Sequence, residues 1–142
     1  MKAKSLFLMA AFIAGNALAE DHRQLAKIPP AAQESLREEM LGNLLAINEI
    51  LTLMAAGKVK EAGQLAETSL GQSAQGKHRD KPFNARPGPH MPPAMHSIGN
   101  DGHVAASEFA KAASSGDREK ALALLPKLTE GCVGCHYSYR TR

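Results

Sequence analysis

Strand signals, internal repeats, a membrane-length apolar run and a large charge excess are all missing from this 142-residue sequence. The first two absences exclude a thioredoxin-like βαβ setting and a solenoid. The third excludes a membrane-spanning helix, because the apolar run Leu6–Ile13 falls well short of the roughly 20 residues needed. The chain has 17 basic and 14 acidic residues, so no electrostatic case exists for nucleic acid or an anionic membrane surface. Only two cysteines occur, Cys132 and Cys135. A disulfide between them would close too short a loop to stabilise much.

What is present begins with an export signal. Lys2 and Lys4 precede the apolar run, and Ala17-Leu18-Ala19 supplies the small residues of a peptidase site, so residues 1–19 are expected to be a leader cleaved before Glu20. Cleavage removes two lysines and leaves 15 basic against 14 acidic residues. The expected location is the periplasm, and the remaining 20–142 is long enough for one domain with one core.

Periodicity predicts four helices. The first starts at Pro29-Pro30, where proline suits the opening turn, and ends at Gly57. Its Leu36, Met40, Leu44, Ile47, Leu51 and Met54 fall within an arc of about 80°, the expected buried stripe. Leu41 and Leu45 lie outside it and suit a neighbouring helix or a homodimer through the first helix. A second helix is expected over 58–70, weakened by Gly63 and closed by Gly71. Residues 72–93 collect glycine and proline and read as a long crossover loop. The third helix is expected from Pro93-Ala94 to Ser114 or Ser115, with a break around Gly99–Gly102 and an inner face of Ala105, Phe109, Ala112 and Ala113. Asp117 is placed to cap the fourth. In that helix Ala121, Leu124, Leu125, Leu128, Cys132, Cys135, His136 and Tyr139 share an arc of about 120°, so the cysteines are expected to continue an inward stripe. Pro126 is expected to kink it or to remove one hydrogen bond. The expected fold class is all-α, an antiparallel four-helix bundle with a covalent cofactor in its core near the C-terminus.

The chemistry is concentrated in Cys132-Val133-Gly134-Cys135-His136. This Cys-x-x-Cys-His spacing is the one that attaches c-type haem: two thiols add across the two vinyl groups of one porphyrin, and the adjacent imidazole reaches the iron. Zinc competes poorly, since the motif offers three crowded ligands and a fourth would have to come from a distant histidine. Haem c, one per chain, is the cofactor to expect. Met40 is the candidate for the opposite side of the iron, against the ordinary use of methionine as a core filler. Leu44, one turn on, would cover an open site, and Met54 reads as core. His90, Met91, Met95, His96 and His103 form a second source of soft or imidazole ligands for iron or copper, in surroundings that read as a mobile surface loop.

The residues from Cys132 to Arg140, the first-helix stretch Leu36–Leu44, and Met91–His96 followed by Ala105–Ala110 resemble the class II cytochromes c, which include cytochrome c′ and its low-spin relatives. The resemblance spans nearly all of 20–142, although only the haem motif is highly specific. In class I cytochromes c an iron-binding methionine follows the motif, an order that six residues after His136 do not accommodate. The resemblance implies thioethers at Cys132 and Cys135, a proximal His136, and an Arg140 near a haem propionate. It implies a non-enzymatic periplasmic electron carrier, with His/Met-ligated iron and redox proteins as partners. The alternative is a five-coordinate protein binding nitric oxide or carbon monoxide. A haem peroxidase ranks last, because no distal acid–base pair is identifiable.

Overall fold

The computed structural model describes residues 20–142; the expected leader, 1–19, lies outside the described residues. The chain forms four helices, α1 (Pro30–Ala55), α2 (Val59–Leu70), α3 (Pro93–Ala113) and α4 (Arg118–Ser138). These agree with the predicted set to within a few residues at each end. Prolines 29 and 30 open α1, and Gly57 turns the chain out of it at φ +73°, a conformation that side chains with a Cβ avoid. Asp117 caps α4 as expected, accepting a hydrogen bond from the Lys120 amide at 3.1 Å. Among the described residues no helix is long and apolar enough to cross a membrane.

Three expectations change. α3 runs unbroken through Gly99–Gly102, because packing against α4 offsets a propensity cost of roughly 1 kcal/mol per glycine. Strand structure is present after all: β1 (Gln24–Leu25) and β2 (Tyr139–Arg140) pair in parallel, two residues each, too short to show as alternation. The crossover 72–93 contains three short 3₁₀ turns and is well anchored. Lys81 Nζ donates to Glu38 at 2.8 Å and to Ser35 at 3.1 Å, and Arg86 Nε donates to the Lys81 carbonyl at 2.7 Å.

α1 packs on α2, α2 on α3, and α3 on α4. The main core joins Ile50 and Met54 of α1, Val59, Ala62 and Ala66 of α2, Ala106, Phe109 and Ala113 of α3, and Ala121 and Leu128 of α4. Phe109 is fully buried at its centre. The predicted α1 stripe splits in two. Leu36, Ala46, Ile50 and Met54 are buried, whereas Leu44 is 66% and Leu51 47% exposed. The core face is rotated toward α2, which took Ala46 and Ile50 in place of Leu44 and Leu51. On α3, Ala105, Phe109 and Ala113 are buried as expected, with Ala106 rather than Ala112 completing the face.

Gly63, which weakens α2 on propensity alone, is explained by this packing. A Cβ there would lie 2.8 Å from Ala113 Cβ and 3.1 Å from the Ala110 carbonyl oxygen. Gly63→Ala is therefore expected to destabilise the protein by about 1–2 kcal/mol, overpacking outweighing the gain in helix propensity. Gly42→Ala, on an open part of α1, should instead stabilise by up to about 1 kcal/mol. Chemical denaturation of the two variants measures both, and shifts of the same sign would contradict the close α2–α3 approach.

Candidate functional site

Cys132, Cys135 and His136 occupy the last turns of α4, where one side of the helix is committed to α3. A Cβ on Gly131 would sit 3.3 Å from Gly102 Cα and 3.4 Å from the Ile98 carbonyl oxygen, so the two backbones nearly touch. With that side closed, Leu125, Thr129, Cys132 and His136, at spacings of four, three and four, form a row on a different face. Leu125 and Thr129 belong to the wall of an apolar cleft of about 340 Å³ between α1 and α4. The opposite wall is Ile47, Ile50 and Leu51 of α1. Met40, Leu44, Ile47 and Leu51 repeat the same spacing on α1, and of the two rows Ile47, Leu51, Leu125 and Thr129 line the cleft, while Met40, Leu44, Cys132 and His136 lie beyond its lining.

Pro126 lines the cleft. α4 continues through it, and the ring leaves the Leu122 carbonyl without its i+4 donor. Thr129 Oγ donates to the Leu125 and Pro126 carbonyls at 3.3 and 3.2 Å.

The expected inward stripe is only partly covered. Ala121 and Leu128 are buried, Cys135 is half-buried, and Cys132 and His136 are exposed. The difference arises because α3 covers only one edge of the stripe at this end of α4. Val133, at 64% exposure, and Tyr137, at 83%, lie on the outer side.

A second apolar cluster joins the ends of several elements. Ala26, Ile28, Leu36 and Met95 are buried in it, and Met40, Met91, Cys135 and Tyr139 pack against it half-buried. Met40 and Cys135 therefore pack against one cluster, whereas His136 is not part of it. Burial pushes the Cys135 thiol pKa up, with the neighbouring Cys132 adding to the effect. Arg140 is also here: its Nε is cut off from solvent, makes no hydrogen bond, and lies 3.7 Å from the Asp21 carboxylate.

The remaining candidates separate. Met54 is core, as expected. His103 donates from Nδ1 to the Leu70 carbonyl at 2.7 Å, and His90 donates from Nε2 to the Phe83 carbonyl at 3.1 Å. Each holds a chain turn in place. Met95 is buried and His96 is exposed, so the His/Met set does not gather into one ligand group. Among the described residues no group of three or more His, Cys, Asp or Glu side chains is placed to hold a bare metal ion. Sequence reasoning missed Ala26 and Ile28 in this cluster, since the segment before Pro29 carries no periodic signal.

The donor set fits a haem: two thiols and an imidazole on adjacent turns, a thioether in the same cluster, an apolar cleft alongside, and an orphaned guanidinium nitrogen suited to a carboxylate. Comparison with known protein families, characterised proteins and solved structures gives no match.

In the chain with both thiols free, iodoacetamide is expected to modify exposed Cys132 before half-buried Cys135. Because only the thiolate reacts, the Cys135 pH–rate profile should lie above that of an ordinary thiol. Equal rates and an ordinary Cys135 profile would contradict the packing of the last turn.

Proposed function

We propose that the protein is a class II type cytochrome c. In this reading the helices form an antiparallel bundle around one haem c, bonded through Cys132 and Cys135, and the protein is a one-electron carrier of the periplasm, released there by cleavage of residues 1–19. The supporting observation is that Met40 of α1 and Cys135 of α4 pack against one apolar cluster, beside an apolar cleft between the same two helices.

When bound, haem would supply the one-electron Fe(III)/Fe(II) couple, and ligation by both His136 and Met40 would raise its potential. The chain's own residues do the rest. His136 follows Cys135 directly, so thioether attachment fixes where its imidazole lies and removes most of the entropic cost of ligation. Met40 would present its thioether sulfur from α1. Leu44, Ile47, Leu51 and Leu125 would exclude water, which favours the less charged state of a redox centre and limits reorganisation around it. Arg140 would place a guanidinium beside a propionate, lowering the cost of keeping that carboxylate charged in a half-buried position. No residue is needed to move protons onto a substrate, and the protein acts through redox partners rather than as an enzyme.

A second reading rests on Leu44. It lies one turn from Met40 on the same row, while Met40 itself packs among Ile28, Leu36 and Met95. If the core keeps Met40, Leu44 would stand where a small gas, nitric oxide or carbon monoxide, would reach a haem held by His136 alone.

Expression with a c-type maturation apparatus tests both readings. The wild-type chain should retain haem after denaturation, and the Cys132→Ser/Cys135→Ser variant should lose it; a chain that never acquires covalent haem would sink the proposal. Met40→Ala should convert a low-spin spectrum to high spin and open the iron to carbon monoxide. A wild-type spectrum already high spin selects the second reading, and an unchanged spectrum in the variant removes Met40 from the ligand role.

A further inference from the structure

The segment before α1 has no part in the main core around Phe109, yet it makes specific contacts at the end of α4. We propose that residues Asp21–Ile28 form a strap that fixes the Cys135–Arg140 end of the chain and aims Arg140. For its bearing on haem the inference rests on the cytochrome reading; the strap itself does not.

Four sets of contacts carry it. Gln24 and Leu25 pair in parallel with Tyr139 and Arg140, and the Ala26 amide adds a 2.7 Å hydrogen bond to the Arg140 carbonyl. The Arg23 guanidinium reaches the His136 carbonyl at 3.4 Å, one of the last carbonyls of α4, where positive charge is favoured. Ala26 and Ile28 are buried in the cluster that holds Cys135 and Met40. Finally, Asp21 divides its attention unequally: it accepts from the Arg23 amide, Nε and Nη2 at 3.1, 2.9 and 2.8 Å, and stands 3.7 Å from Arg140 Nε.

That inequality has a chemical consequence. The three bonds from Arg23 hold the Asp21 carboxylate in place and keep its pKa well below the usual range. At 3.7 Å the carboxylate attracts Arg140 without accepting its Nε hydrogen. Arg140 is thus oriented yet keeps a donor for an anionic group, so Arg23 and Asp21 act as positioning residues.

Three variants of the full-length protein test this. Ala26→Pro removes the amide that binds the Arg140 carbonyl. Hydrogen exchange of the Tyr139–Arg140 amides should rise tenfold or more, while the Ala106–Ala113 segment keeps its protection. Unchanged exchange at 139–140 overturns the strap; if this variant does not fold, absence of protection at 139–140 in the wild type does so. Asp21→Asn removes the attracting charge, and Arg23→Ala frees Asp21 to bond Arg140 fully. The Arg140 Nε–H resonance should move in opposite directions in the two, with or without haem. In the haem-loaded protein the midpoint potential should rise in the first, where negative charge is lost, and fall in the second, where positive charge is lost. Resonance shifts of one sign overturn the role assigned to Asp21 and Arg23. Lack of covalent haem defeats the cytochrome reading alone, because the exchange and resonance data still decide the strap.

Discussion

The near-contact of α4 with α3 at Gly131 and Gly102 is the constraint on which the site depends. Interaxial distance depends on the side chains at the contact, and here neither helix presents one. Once that edge of α4 is closed, Leu125 and Thr129 are left lining the cleft, and Cys132 and His136 continue their row beyond it. A side chain at 131 that pushed the helices apart would also move the motif, since Cys132 is the next residue. The corresponding contact of α2 with α3, at Gly63, sets the other side of the bundle. Between them, two glycine contacts make α3 the central helix and leave α1 and α4 facing each other across an apolar space.

That space explains why both outer helices carry more apolar residues than the core consumes. Leu51 of α1 and Leu125 of α4 line it and are better hydrophobes than a solvated surface needs, and burying each fully would contribute roughly 1.5–3 kcal/mol. In the cytochrome reading a flat apolar cofactor covers them. Leu41 and Leu45, at 60% and 71% exposure, are on the outer side of α1 and do not border the cleft. A homodimer through the first helix remains a proposal for those two alone.

Helix positions were readable because a long amphipathic helix repeats its signal several times, and caps such as Pro29-Pro30 and Asp117 mark its ends. Rotation about the axis was less so: the α1 stripe spans both the true core face and the cleft face, and periodicity treats them as one arc. The β1–β2 pair left no trace, because two residues offer no alternation. The 72–93 crossover looked unanchored, since Lys81 and Arg86 are tied by contacts to α1 and to the loop's own backbone that no local pattern encodes. The histidines read as candidate ligands are used otherwise for a similar reason: His90 bonds the Phe83 carbonyl within the crossover, and His103 of α3 bonds the Leu70 carbonyl at the end of α2.

The sequence by itself determined the four helices and the placing of Cys132, Cys135 and His136 on neighbouring turns of the last one, because spacing along a helix fixes which groups are neighbours. It also put Met40 on an apolar stripe. Only the tertiary structure decided that Met40 and Cys135 meet in one cluster, that Arg140 has an unbonded Nε beside Asp21, and that residues before the first helix close over the last. Those are contacts between residues about a hundred positions apart, and they depend on how closely three helix pairs approach, a quantity set by packing at a few small side chains rather than by any local pattern.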